Sequence, residues 1–171
     1  FLLVGATNPC PCGGGAPGSC VCDDAAKARY VRRLSGPLLD RFDLRVGVAK
    51  PCVDELLAET VGESTAITAR RVAAARELAL GLRGMLNGAI PPEQLDRLFP
   101  LTRAARDLLR AELEHDRLTG RGFHRVRRVS RTLADLQATA GGDPEAPVDD
   151  TQVSTALALR VSVASTRAVA A

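Results

Sequence analysis

Four of the five cysteines in this 171-residue chain fall in two close pairs, Cys10-Pro11-Cys12 and Cys20-Val21-Cys22, on one Gly/Pro-rich loop. Two such pairs facing each other offer four thiolates to a single tetrahedral Zn2+. The loop from Asn8 to Cys22 contains Pro11, Gly13, Gly14, Gly15, Pro17 and Gly18, residues that permit the tight backbone path of a metal knuckle. It has almost no apolar side chain, so metal is its expected organising element. The Cys-x-Cys spacing differs from the Cys-x-x-Cys of zinc ribbons. A disulfide within Cys-x-Cys would close a strained ring; free thiols or another thiophilic metal remain as alternatives. Four protein ligands leave no open coordination position, which makes the role structural. Cys52 lies outside the cluster and reads as a small, partly buried residue.

Asn8 and Arg41 are the next candidates. Asn8 directly follows the apolar run Phe1-Leu2-Leu3-Val4-Gly5-Ala6-Thr7, the position at which strands of open parallel sheets present polar groups to ligand. Its amide suits orienting a water or touching a γ-phosphate, although from the residue alone a cap on the turn into Pro9 is the simpler reading. Arg41, within Leu38-Leu39-Asp40-Arg41-Phe42-Asp43, carries a planar cation that matches phosphate oxygens. It reads equally as a surface ion pair with a neighbouring Asp.

The elements that position these residues follow from periodicity. The run at 1–7 predicts a buried strand, and a chain opening inside a strand is expected to continue a longer protein upstream. A helix is predicted from about Asp24 to Leu34 with Asp23 or Asp24 as its cap, stopped by Ser35-Gly36-Pro37. Pro37 to Arg41 suits one helical turn, and the alternation from Phe42 to Val48 predicts a second strand. Strand, loop, helix and strand make residues 1–60 the expected last part of an α/β parallel-sheet domain. Beyond Val53 the spacing turns helical: Ile67 to Leu82 with Gly84 as C-cap, Pro91-Pro92 to Phe99, Thr102 to about Arg117, Phe123 to about Ala138, and Asp149 to about Val161. The last places Val153, Leu157, Leu159 and Val161 on its apolar side. An all-α bundle over 61–165 is thus expected after the α/β part, with 166–171 a tail. In the helix after Arg121, the stripe Phe123, Val126, Val129, Leu133 and Leu136 is core, leaving Arg125, Arg128 and Arg131 as a solvated face or a contact for DNA phosphate or the neighbouring subunit's nucleotide. His124 reads as packed or capping, and His115 as a surface residue at a helix C-terminus.

Composition narrows the classes. The formal net charge is +3, and of 23 basic residues only Lys27 and Lys50 are lysine, so any one arginine is by default a surface residue. Aromatics make up 3% with no Trp, which argues against recognition of single strands by stacking. No stretch approaches the roughly 20 apolar residues of a membrane span, and the N-terminus has no leader pattern. A cytoplasmic location without membrane partners is expected.

Taken in order, Leu3 to Gly13, Cys20-Val21-Cys22, Tyr30, and Ser35-Gly36-Pro37-Leu38-Leu39-Asp40-Arg41-Phe42-Asp43-Leu44 resemble the YifB/ComM family of magnesium-chelatase-like AAA+ ATPases. Gly62-Glu63-Ser64-Thr65-Ala66, Arg121-Gly122-Phe123-His124-Arg125-Val126 and Arg131 to Leu136 resemble later segments of the same family. The likeness spans about residues 1–160. It implies an AAA+ core followed by a helical lid, with Asn8 as the sensor-1 residue, Arg41 as the arginine finger that reaches a neighbouring subunit, and Arg121 as the sensor-2 arginine acting in cis. Asp40 is expected to hold the finger or an intersubunit partner. The resemblance further implies ATP and Mg2+, a ring that is hexameric, and DNA as partner, with helicase or branch-migration activity in recombination and natural transformation. A magnesium-chelatase-type motor subunit and a non-catalytic, zinc-stabilised assembly module are the alternatives. The chain has no Gly-x-x-x-x-Gly-Lys-Ser/Thr motif. That loop and the Mg2+ ligands are expected upstream of Phe1, and ATP turnover is expected of the full-length protein only.

Overall fold

The structure, a computed structural model, describes residues 2–14, 20–49, 51–57 and 62–160. The chain divides into two compact units, one of residues 1–49 with 160–171, the other of residues 50–159.

In the first unit, α1 (Asp24–Arg32) starts where the Asp23 carboxylate accepts the Ala26 N–H at 2.6 Å. The short helix α2 (Gly36–Leu39) is capped by Ser35, whose Oγ accepts the Leu38 N–H at 3.3 Å. Pro37 in its first turn removes an N–H that would have no helical acceptor there. The two predicted strands are not formed as ladders: 2–8 have no regular secondary structure, 42–48 contain a bend at Asp43, and the unit's one backbone bridge among the described residues is a parallel one between Arg45 and Arg160. Leu2, Leu3, Val4, Val46 and Val48 are exposed. The physical reason is that an extended segment satisfies its N–H and C=O groups only through a lateral neighbour, and these two segments do not pair with each other. The α/β half of the expected architecture is therefore absent from the described residues, and the helical half is present.

The second unit is helical: α3 (Val53–Leu57), α4 (Thr65–Arg83), α5 (Leu95–Leu98), α6 (Arg103–Glu114), α7 (Gly120–Thr139) and α8 (Asp150–Ala158), with 3-10 turns at Asn87–Ala89 and Pro92–Gln94. Each long helix is bounded by local chemistry. Ser64, Thr102 and Thr119 cap α4, α6 and α7, Asp149 and Gln152 form a reciprocal capping box on α8, and Gly84 ends α4 at φ 71°, a left-handed backbone that suits Gly. Helix α7 begins at Gly120, so Arg121 lies inside its first turn rather than ahead of it. Ala105 and Leu109 of α6, Val126 and Ala134 of α7, and Val153 and Ala156 of α8 bury against Leu118 and Val148. Ile90, Leu95 and Phe99 form a second apolar cluster. The buried face of α8 is Gln152, Val153 and Ala156, while Leu157 and Leu159 are half-buried and Val161 lies outside the described residues. No helix among the described residues is long and apolar enough to cross a membrane.

The expected solvated basic face of α7 is overturned at Arg128 and Arg131. Arg128 donates through Nε (3.0 Å) and Nη2 (2.8 Å) to the Ile90 carbonyl. Arg131, 2% exposed, donates from Nε to Asp135 at 2.9 Å and from Nη1 to the Ala146 carbonyl at 2.9 Å. Arg127 pairs with Asp96 and caps the carbonyls of Leu95 and Phe99, each at 2.9 Å. Asp135 is fully buried and also receives Arg83 and, at 2.6 Å, the Asn87 amide. Short helices and turns leave carbonyls without intrahelical donors, and guanidinium, with five N–H groups in a fixed fork, satisfies several at once. Arg125 is half-buried. His124 packs edge-on against Phe123 with ring centroids 5.4 Å apart, and burial followed by the nearby Arg128 and Arg127 charges lowers its pKa. His115 bonds the Ala111 carbonyl through Nδ1 at 2.7 Å, at the end of α6.

Candidate functional site

The loop before α1 brings the four predicted cysteines together. Their Sγ atoms all lie within 4.8 Å of one another, with Cys10 to Cys12 at 3.4 Å, Cys10 to Cys20 at 3.6 Å and Cys12 to Cys20 at 3.8 Å. A tetrahedron with Zn–S bonds of about 2.3 Å has edges of about 3.8 Å, so the donor set and its spacing fit one such ion. The fold of the first half-loop is local. Gly13 N–H bonds the Cys10 carbonyl at 3.0 Å, and Gly13 takes φ 74°, where a side chain would be strained and its Cβ would come 3.5 Å from the Asn8 amide. The Gly14 N–H points at Cys12 Sγ, 3.4 Å away. That contact, followed by the Cys10 hydrogen bond, brings the Cys12 thiol down to about 6. Cys22, whose proton is held by the Cys12 sulfur, is pushed up to about 11. Cys12 and Cys22 are thus biased in opposite directions, Cys12 towards the thiolate that binds a thiophilic cation. No disulfide links these cysteines. Cys52, expected to be partly buried, is exposed. It heads α3, with its sulfur 3.4 Å from the Glu55 N–H while Glu55 accepts the Cys52 N–H at 2.8 Å.

Asn8 sits at the entrance of this knuckle. Its amide is exposed and has no hydrogen-bond partner among the described residues, so it does not cap the turn into Pro9. The preceding Thr7 is tied to α1 by its hydroxyl, 2.9 Å from that of Tyr30.

Arg41 follows α2 and is exposed; its side chain donates from Nη1 to the Pro37 carbonyl at 2.6 Å. Asp40, expected to hold it, pairs instead with Arg160, Nη2 to Oδ1 at 3.0 Å. Arg160 is the residue that sequence reasoning missed. Its one signal was to be the sole charge in the otherwise uncharged run 156–163. Arg121, in the helical unit, is exposed in the first turn of α7 and has no partner among the described residues. No hydrogen bond joins Asn8 to Arg41.

Residues 62–160 match the family model described as magnesium chelatase, subunit ChlI C-terminal, and residues 1–56 match that described as magnesium chelatase, subunit ChlI. An uncharacterized protein of Mycobacterium tuberculosis is 43% identical over 142 residues, covering 80% of this chain and 28% of that protein. YifB of Escherichia coli, itself uncharacterized, is 36% identical over 138 residues, and the competence protein ComM of Haemophilus influenzae 34% over 140, each match covering 80% of this chain and 27% of the relative. The chain thus spans little more than a quarter of the length of these curated relatives. The chain belongs to the magnesium-chelatase-like YifB/ComM family.

Proposed function

We propose that this chain supplies the sensor, finger and lid residues of a ring-forming AAA+ ATPase that couples ATP hydrolysis to DNA remodelling, as a helicase or in branch migration. The observation that carries this reading is the contrast among arginines. Arg127, Arg128, Arg131 and Arg160 are buried or half-buried on internal acceptors, whereas Arg41 and Arg121 are exposed beside the end or start of a capped helix, Arg41 with a single side-chain bond to the Pro37 carbonyl. Phosphoryl transfer asks little of the protein beyond positioning and cations placed on developing negative charge. Arg41 is assigned to ATP bound by the neighbouring subunit, Arg121 to ATP bound by its own, and Asn8 to the attacking water or the γ-phosphate. The phosphate loop and the Mg2+ ligands belong to parts of the protein outside this sequence. Cys10, Cys12, Cys20 and Cys22 are assigned to one structural Zn2+, which would cross-link the loop next to Asn8. The competence protein among the relatives favours DNA as the polymer acted upon; the chelatase family model keeps a chelatase-type motor as the second reading.

The test uses full-length protein. Arg41→Ala is expected to lower ATP turnover by on the order of a thousandfold, with far less effect on each subunit's own ATP affinity. Mixing Arg41→Ala subunits with subunits that lack the phosphate-loop lysine is expected to restore part of the activity, because one interface type then holds both working parts. Arg121→Ala is not rescued in this way. An inactive mixture in which mixed rings demonstrably form, or near-normal turnover by Arg41→Ala, removes the finger assignment. Stimulation of turnover by DNA separates the remodelling motor from the chelatase motor.

A further inference from the structure

Arg160 meets the Arg41 turn from both sides. Its Nη2 pairs with Asp40 Oδ1 at 3.0 Å, and its Nη1 donates to the Phe42 carbonyl at 2.9 Å and lies 3.5 Å from that of Asp43. These acceptors belong to the residue before Arg41 and to the two after it. The Arg160 side chain is 7% exposed against 21% for Asp40, so the pair is largely withdrawn from water and screened less than a surface pair. The backbone is fixed in the same place: Arg45 Nη2 donates to the Arg160 carbonyl at 2.8 Å, and residues 45 and 160 form a parallel bridge. Within α2, the Arg41 N–H returns to the Leu38 carbonyl at 3.0 Å and that of Asp40 to Gly36 at 2.9 Å. One planar guanidinium therefore closes the turn from Asp40 to Asp43, while Arg41 within it stays exposed and donates Nη1 to the Pro37 carbonyl at 2.6 Å.

We infer that Arg160 is a positioning residue for Arg41: it bridges the Asp40 carboxylate and the Phe42 and Asp43 carbonyls, holding the turn that carries the exposed Arg41. The inference rests on the proposed finger role of Arg41. Planarity matters because the two Nη groups diverge to reach acceptors on opposite flanks, which one ammonium group cannot span. A loosened turn leaves Arg41 charged and present but displaced, and displacement of about 1 Å at a reacting centre costs on the order of a hundredfold in rate.

In the full-length protein, Arg160→Ala is expected to lower kcat by on the order of a hundredfold while KM for ATP stays close to wild type, since the lost interaction acts in the transition state. Arg160→Lys retains the charge facing Asp40 but not the fork, and falls between the two. The decisive measurement is the double variant. Arg41→Ala with Arg160→Ala is expected to be no slower than Arg41→Ala alone, because a positioning residue has nothing left to position. A merely structural Arg160 would slow the Arg41→Ala background further, and that result overturns the inference. Normal kcat for Arg160→Ala beside a collapsed Arg41→Ala overturns it while leaving the finger assignment standing. Near-normal turnover by Arg41→Ala overturns both. Ring assembly and melting midpoint are measured on every variant; if Arg160→Ala does not assemble, Asp40→Asn and Arg160→Lys, which keep the carbonyl bonds or the charge, enter the same cycle with the same outcomes deciding.

Discussion

The two units of this chain are held by different means. In the helical unit every long helix closes its own hydrogen bonds, and its apolar faces form clusters around Leu109, Val126, Val153 and around Phe99. Arg83 and Arg131 converge on one carboxylate, Asp135, while Arg127 pairs with Asp96 and, with Arg128, satisfies carbonyls between α4 and α6. In the unit of residues 1–49 and 160, Cys10 is the one buried hydrophobic side chain among the described residues. What order it has comes from polar ties: the sulfur cluster, Thr7 to Tyr30, and Arg160 across the Arg41 turn. The same residue type therefore does opposite work. Arg127 and Arg131 of the helical unit are structural donors turned inward, while Arg121 in the same unit is exposed; in the other unit Arg160 staples a turn and Arg41 is exposed. The lesson is that an apolar core and a satisfied polar network are separable sources of order, so they should fail separately.

Removing the metal is the largest expected perturbation of that contrast. Purified chain is expected to carry about one Zn2+ per polypeptide, as a four-thiolate site requires. Chelation, or Cys12→Ser, is expected to abolish hydrogen-exchange protection around the knuckle and α1 while the helical circular dichroism of the other unit stays intact. Elemental analysis that finds no metal in reducing, chelator-free preparations would remove the zinc reading. Asp135→Ala is the reciprocal break. It leaves the Arg83 and Arg131 guanidiniums buried and unpaired, 5% and 2% exposed, and loss of one partner of a buried pair costs about 3–5 kcal/mol. Denaturant titration is expected to show that loss with zinc content unchanged; a loss below about 1 kcal/mol would mean that water replaces the carboxylate.

Smaller effects sharpen the comparison. Arg128→Ala takes both donors from the Ile90 carbonyl and is expected to cost about 1–3 kcal/mol, the range for an orphaned buried acceptor. If it changes DNA affinity instead of the unfolding midpoint, α7 presents a basic face after all. The smallest effect lies at Glu112, whose carboxyl is held below the usual range first by the hydrogen bond from Arg117. A carboxyl with a lowered folded pKa contributes stability above its unfolded value of about 4.3, and that contribution is lost as pH falls through the folded value. Glu112→Gln is accordingly expected to shift the melting midpoint slightly near pH 7 and not at all at low pH. An equal shift at both would assign the effect to packing.

Much of the helical unit was legible because helix boundaries are local chemistry. Thr102 and Asp149 announce their caps within three or four residues, and Gly84 announces the end of α4. The start of α7 was misplaced to Phe123 because Gly120 and Gly122 weaken the helical pattern that Thr119 nonetheless caps. The cysteine knuckle was legible for the same reason, since its four ligands lie within thirteen residues and the Gly13 turn is dictated by neighbours. The strands were not recovered as ladders, because a strand is defined by a lateral partner that its own residues do not name.

The sequence by itself thus determined the ligand set, the helix caps and the family, each written in residues close together or in an ordered string of motifs. Only the tertiary structure decided where the arginines go. Arg131 and Arg41 are the same residue type in a chain rich in arginine, and whether a guanidinium is a buried staple or an exposed cation depends on acceptors far away in sequence: Asp135 facing Arg83 across 52 residues, and the Arg41 turn closed by Arg160 from 120 residues away. Periodicity reads one helix face at a time, whereas a charge is placed by whatever desolvates and satisfies it, and that information exists only once the distant segments have met.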